Sequence, residues 1–209
     1  PAPVEQRTLR ELVRRVEDLN KLVSMEKARL STREYLPAVR ESIERIIQTL
    51  EGEIAKVEAD IRQLCKDYPD LRRQRDLLLS IPGIGPKTAP LLLAELGDPE
   101  RFENAGQATA YAGLTPRETQ SGDSLHRRPK LCKTGNAELR KSLYMPAMVV
   151  MREAKRRGGL FAAFVHRLID LRYHNKSIIA ALMRKLLVLA YGVLKSGVPY
   201  DPNFCTQRP

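Results

Sequence analysis

Between Thr115 and Gly135 the chain reads TPRETQSGDSLHRRPKLCKTG, which sets Ser121, Gly122 and Ser124 among Arg117, His126, Arg127, Arg128, Lys130 and Lys133. A serine hydroxyl can attack a DNA phosphodiester when a neighbour takes its proton and cations stabilise the pentacoordinate phosphorus. Arg and His provide both. Gly122 would let a phosphate approach closely. The same residues also suit a plain Ser-Gly turn whose cations bind backbone phosphates without chemistry, and spacing alone leaves both readings open.

A second stretch able to grip phosphate lies upstream, where residues 81–96 read IPGIGPKTAPLLLAEL. Gly83 and Gly85 have the conformational freedom of a tight inter-helix turn, and their missing side chains expose main-chain N–H groups to an anion. Pro86 is expected to open the following helix, since its absent N–H costs nothing there. Lys87, Thr88 and Ala89 then fall at a helix N-terminus, where free amides and the macrodipole favour an anion. Leu77, Leu78, Ile81, Ile84, Leu91, Leu92 and Leu96 supply a small apolar core, so a helix-hairpin-helix is predicted over 77–97. Such a turn holds backbone phosphates and carries little sequence information.

Charge agrees with a polyanionic partner. The 209 residues hold 36 Lys and Arg against 25 Asp and Glu, for a net charge of +11. Residues 1–68 carry 13 of each sign, so the whole excess lies from 69 onward, as in the electrostatic footprint of nucleic-acid binding. Cys65, Cys132 and Cys205 are far apart, as are His126, His166 and His174. That spacing predicts free thiols and no zinc site. Seven Tyr, four Phe and no Trp argue against single-strand stacking as the binding mode. Ile178 to Leu194 is the most apolar segment, but Arg184 and Lys185 split it, so it is expected to be a core helix and not a membrane span. No secretory signal is visible, and a start at Pro1 suggests a fragment.

The elements that must position these residues read as all-α. Leu9, Leu12, Val16, Leu19, Val23 and Leu30 follow a three-four spacing, and after a break at 31–37 so do Ile43, Ile47, Leu50, Ile54, Val57, Ile61 and Leu64. Two long helices of coiled-coil type are expected over 1–68, antiparallel and able to pair with another copy of the chain. Tyr68-Pro69-Asp70 opens a compact helical domain, 69–209. Asn104 is placed to cap a short helix that Gly113 ends, and Asn136 starts a helix bearing Leu139, Leu143, Met148 and Val149. Helices follow at 160–171 and 176–194, and the tail from Ser196 is expected to fray. The stretch 115–135 has no sustained apolar period and forms a long loop or irregular hairpin; loops of about twenty residues are usually functional.

IPGIGPKTAPLLLAELGDPERF, AYAGLTPRETQSGDS, KTGNAELRKSLYMPA and the terminal PYDP together resemble the C-terminal half of DEDD-type insertion-sequence transposases, the "one-ten" insertion-sequence family, whose relatives include pilin-gene invertases. The resemblance runs over essentially all of the chain and is most specific from Leu79 to Ala147. It implies an upstream ribonuclease-H-like domain carrying Mg²⁺ on four acids, a coiled coil, and a C-terminal domain that supplies a serine. It further implies recombination guided by a bridge RNA, with the serine forming a phosphoserine link to DNA. The serine of Gln120-Ser121-Gly122 matches that nucleophile, with Ser124 as the alternative.

No strand-borne acid precedes the coiled coil, so no metal ligand and no cofactor is assigned within this chain. The expectation is therefore a DNA recombinase fragment, inactive by itself. Gly83, Gly85, Lys87 and Thr88 would hold one stretch of backbone, and Arg117, Arg127, Arg128, Lys130 and Lys133 the scissile strand. Its implied partners are DNA, a guide RNA and further copies of the chain in a homodimer or homotetramer. The implied location is the bacterial or archaeal cytoplasm, at the nucleoid. The alternative is a dimeric nucleic-acid-binding scaffold in which Ser121 only turns the chain. A helix-hairpin-helix glycosylase is disfavoured, because its candidate acid, Asp98, sits in the Gly97-Asp98-Pro99 turn with no aromatic base pocket.

Overall fold

The computed structural model describes residues 3–117 and 130–202. Among the described residues the fold is all-α apart from one two-stranded ladder of two-residue strands. The chain divides into two compact units, Pro1–Arg72 and Arg73–Pro209, with the division inside the third helix.

The first unit is a helical hairpin. Helix α1 (Val4–Thr32) and helix α2 (Pro37–Asp67) are joined by residues 33–36 and pack on each other as an antiparallel pair. Pro37 opens α2 at a position that needs no N–H donor. Val23, Ile43 and Ile47 form a buried cluster on which Leu30, Tyr35, Leu50 and Ile54 pack. Lys27 donates to Glu51 at 2.7 Å across the pair. The sequence-derived seams meet within the chain, with two differences. Val13 is buried where Leu12 and Val16 are only half-buried, and Cys65 is buried where Leu64 is half-buried. Real helices advance by 3.6 residues per turn, so a strict three-four count drifts across the buried stripe. Leu22, Met25, Leu36, Val39 and Ile46 remain exposed.

The second unit is built around α9 (Asn175–Ser196), which packs against α5 (Ala105–Tyr111), α7 (Tyr144–Arg157) and a 3-10 turn at Pro99–Arg101. Ile178, Leu182, Leu186, Leu187 and Ala190 of α9 are buried. At 22 residues this helix is longer than the segment read from sequence and, by length and composition alone, could cross a membrane. Its buried face instead forms the core of the unit. Arg184 and Lys185 are half-buried, and Lys185 lays its ammonium over the rings of Phe161 and Phe164 at 5.1 and 4.6 Å, so long cationic side chains bury their stems without breaking the helix. Tyr191 donates to the Phe102 carbonyl at 3.0 Å. Lys195 donates to Glu100 at 2.5 Å, and that hydrogen bond raises the lysine's pKa above its ordinary value.

Between α5 and α9 the structure departs from the single helix expected after Asn136. Two helices, α6 (Ala137–Ser142) and α7, meet at Leu143. Pro146 follows closely, and the residues before a proline resist a continuous helix. Helix α7 buries Pro146, Ala147, Val150 and Ala154, leaving Met148 exposed and Val149 half-buried. Helix α8 (Ala162–Asp170) then packs on α7. The described part of the tail, through Pro202, is also better held than its composition suggests. Arg73 reaches the Gly197 carbonyl at 3.5 Å, and the Tyr200 amide donates to Ser80 Oγ at 2.8 Å.

Candidate nucleic-acid interface

Helix α3 (Pro69–Leu79) and helix α4 (Thr88–Leu96) flank the Gly-x-Gly segment. Ile81-Pro82-Gly83-Ile84 closes a turn in which the Ile84 amide donates to the Ile81 carbonyl at 3.1 Å and Gly83 adopts φ +92°. Proline second and a positive-φ glycine third are the requirements of a type II turn. Ile81 and Ile84 are buried and anchor it. Gly83 is also sterically fixed, because a Cβ there would come within 2.6 Å of Val150 Cγ2 on α7.

Gly85 differs from the sequence expectation. Its φ is not positive, and a Cβ would meet nothing within 4 Å. The turn does not need glycine there; its missing side chain leaves open space beside the backbone. Helix α4 also begins two residues later than expected, at Thr88, with Lys87 as its cap residue and Pro86 outside the helix. The amides of Thr88 and Ala89 both donate to the Gly85 carbonyl at 3.0 Å, so neither is an open helix-end donor. No hydrogen bond engages the amides of Gly83 and Gly85 among the described residues. The unengaged amides of the Gly-x-Gly stretch are thus those of the two glycines, and Lys87, two residues on, is exposed.

Asn104 caps α5 by accepting from the Gln107 amide, and Gly113 follows the helix at φ +65°. The two ends of the next segment pair with each other. Strand β1 (Pro116–Arg117) pairs antiparallel with β2 (Lys130–Leu131), and the Cys132 amide donates to the Thr115 carbonyl at 2.9 Å. Ser121, Ser124, His126, Arg127 and Arg128 lie outside the described residues, and Arg117 and Lys130 are described in their backbone only. What the structure defines is the base from which this segment leaves and to which it returns.

That base is tightly built. Lys133, at φ +58°, donates its amide to the Gly113 carbonyl at 3.1 Å. Gly135 passes so close to α5 that a Cβ would lie 2.3 Å from the Tyr111 carbonyl. Asn136 accepts the Leu139 amide at 2.9 Å, capping α6, while its Nδ2 donates to Glu95 Oε2 at 2.7 Å and to the Tyr111 hydroxyl at 3.2 Å. Arg140 donates to the Ala112 carbonyl at 3.0 Å. Asn136 therefore couples the hairpin base to the buried Glu95 near the end of α4. Thr88 and Glu95 are seven residues apart on that helix, an axial rise of about 10 Å, so α4 links the end of the Gly-x-Gly segment to the Asn136 contact at the hairpin base.

The acids do not form a metal site among the described residues, where no group of three His, Cys, Asp or Glu converges. Glu51 and Glu53 instead pair with Lys27 and Lys56 on the hairpin. Asp98 accepts the Glu100 amide and caps the 3-10 turn, which is a structural role. Sequence reasoning gave no function to one further cationic region, residues 152–176, which includes Gly158-Gly159, both at positive φ.

The family model described as "Transposase IS116/IS110/IS902 family" matches residues 75–163, which enclose the Gly-x-Gly turn, the 115–135 segment and all of α7. The chain is 40% identical over 148 residues to the pilin gene-inverting protein of Moraxella bovis, covering 71% of this chain and 45% of that protein. It is 31% identical over 149 residues to the transposase for insertion sequence element IS1328 of Yersinia enterocolitica, covering 71% and 43%. The chain thus matches less than half the length of these relatives. Residues 75–163, less than half of the chain, thus carry its match to the IS116/IS110/IS902 transposase family.

Proposed function

We propose that this chain is the DNA-binding, nucleophile-bearing part of a recombinase that moves or inverts DNA segments. The observation that carries the reading is the family-matched stretch, which unites a turn with two unengaged glycine amides and a rigidly based basic hairpin. Gly83, Gly85 and Lys87 hold one run of backbone phosphates. The amide of Thr88 is already engaged, so Thr88 contributes through its hydroxyl. Arg117, Arg127, Arg128, Lys130 and Lys133 hold the scissile strand.

Ser121 is the proposed nucleophile. Its Oγ attacks phosphorus, its proton passes to a neighbouring base, and the P–O bond to one deoxyribose breaks to leave a phosphoserine ester and a free sugar hydroxyl. A hydroxyl from the second DNA end then attacks that ester, joins the new strand and restores the serine. The surrounding guanidinium and ammonium groups stabilise the phosphorane charge. Mg²⁺ chemistry is assigned to a ribonuclease-H-like domain elsewhere in the full-length protein. A guide RNA and a dimer or tetramer formed through the α1–α2 hairpin complete the proposed assembly, which works at the bacterial or archaeal nucleoid.

The test is capture of covalent protein–DNA adducts by the full-length protein on a labelled element-end duplex. An alkali-labile adduct lost in Ser121→Ala and kept in Ser124→Ala supports the assignment. Loss only in Ser124→Ala moves the nucleophile to that residue. Duplex binding with no adduct from the wild type refutes serine chemistry and leaves a nucleic-acid-binding scaffold.

A further inference from the structure

Residues 152–176 hold seven Lys or Arg against two acids, Glu153 and Asp170, a greater positive excess than the five-against-two balance of 115–135. We propose that the outward face of α7, joined to the start of α9, is a second duplex-DNA backbone site. It would hold a DNA segment different from the one at the Gly-x-Gly turn. The inference rests on the DNA-binding reading above and adds a surface that reading does not use.

Three observations assemble the site. Lys155 Nζ donates to Asn175 Oδ1 at 3.1 Å, which brings the end of α7 to the start of α9 and places Lys176 beside the α7 cations. Arg152, Arg156, Arg157 and Lys176 are exposed, and no ion pair engages them among the described residues. Their placement also exceeds what helix stability explains. Cations in the last turn of α7 favour its C-terminal dipole, but Arg152 lies more than a turn upstream and Lys176 sits at an N-terminus, where a cation is unfavourable.

Helix geometry separates this face from the first site. Val150 faces the Gly83 turn. At about 100° per residue, Arg152, Lys155 and Arg156 stand about 200°, 140° and 240° around α7 from Val150, within one sector turned away from that turn, whereas Arg157, at about 340°, stands on the Val150 side and is not part of this face. A duplex seated against the glycine amides and one seated on this sector approach α7 from different sides. Clustered like charges repel each other in the free protein, and duplex phosphates relieve that cost while releasing counterions.

The experiment uses full-length protein in a capture assay, with one duplex immobilised and a second duplex labelled and free in solution. The variant is Arg152→Gln/Arg156→Gln/Lys176→Gln, and a control removes equal charge from α2 with Arg40→Gln/Arg45→Gln/Arg62→Gln. Expected is a fall of at least about tenfold in second-duplex capture, with single-duplex affinity kept within about threefold and the salt-dependence slope of capture reduced by about 2 to 3. The control keeps capture, and both variants keep the wild-type melting profile. Capture that survives in the α7–α9 variant, or falls equally in the control, overturns the inference while the proposed function stands. So does capture of only duplex RNA. Wild-type protein that binds no duplex at all removes both.

Discussion

Gly83 and Gly85 look equivalent in the sequence, yet the structure gives them different tasks, and replacing each by alanine separates folding from binding. At Gly83 the new Cβ must share space with Val150 Cγ2 at 2.6 Å and Pro146 O at 3.4 Å, on a backbone with φ +92°. The left-handed backbone costs about 1–2 kcal/mol for a residue with a Cβ, and overpacking adds about 1–3 kcal/mol. A combined loss of about 3 kcal/mol corresponds to a melting temperature lower by roughly 10 °C for a unit of this size. Adding Val150→Ala removes the clashing methyl, so the double variant should lose about 1 kcal/mol less than the two single losses combined, with the backbone strain remaining. At Gly85 there is neither clash nor positive φ. Gly85→Ala should match the wild-type melt or exceed it, because alanine narrows the unfolded ensemble by about 0.4–1 kcal/mol. Its duplex affinity should nevertheless fall several-fold, since the methyl fills the space through which a phosphate reaches the amide. Circular dichroism melts and duplex titrations at several salt concentrations measure both quantities. A Gly85→Ala protein that melts as low as Gly83→Ala, or binds duplex unchanged, refutes this division of roles.

Asn136→Ala removes the α6 cap and both side-chain bonds to Glu95 and Tyr111, so chemical denaturation should report a loss of about 2–4 kcal/mol. Asn136→Asp keeps the cap but sets a second carboxylate against buried Glu95. The shared site raises a carboxyl pKa in the folded protein above its unfolded value, so stability is retained at low pH and lost as pH rises through the raised pKa; melts that are flat from pH 4 to 8 would rule this out. On the hairpin, Leu22→Gln/Met25→Gln/Ile46→Gln changes only exposed apolar positions. It should leave α1–α2 folded while lowering the mass seen by light scattering, and an unchanged mass would exclude that face from self-association.

Local chemistry announced itself wherever one residue type was required by the backbone. Gly83 marked the turn, Asn104 and Asn136 their caps, and Gly113 the end of α5. The hairpin seams were legible because their apolar residues repeat over eight turns or so, and a drift of one position, Val13 for Leu12, leaves the pattern intact. Less legible was anything decided by tertiary neighbours. Gly85 reads like Gly83 until Val150 is seen against only one of them. Thr88 reads as an open amide until the Gly85 carbonyl takes it. The α7–α9 cations read as ordinary surface charge until Lys155 and Asn175 join two helices that are twenty residues apart in sequence. Sequence periodicity reports which side of an element is apolar, whereas a binding face is made by which elements meet. That is why the turn could be named from its residues and the second cationic face could not.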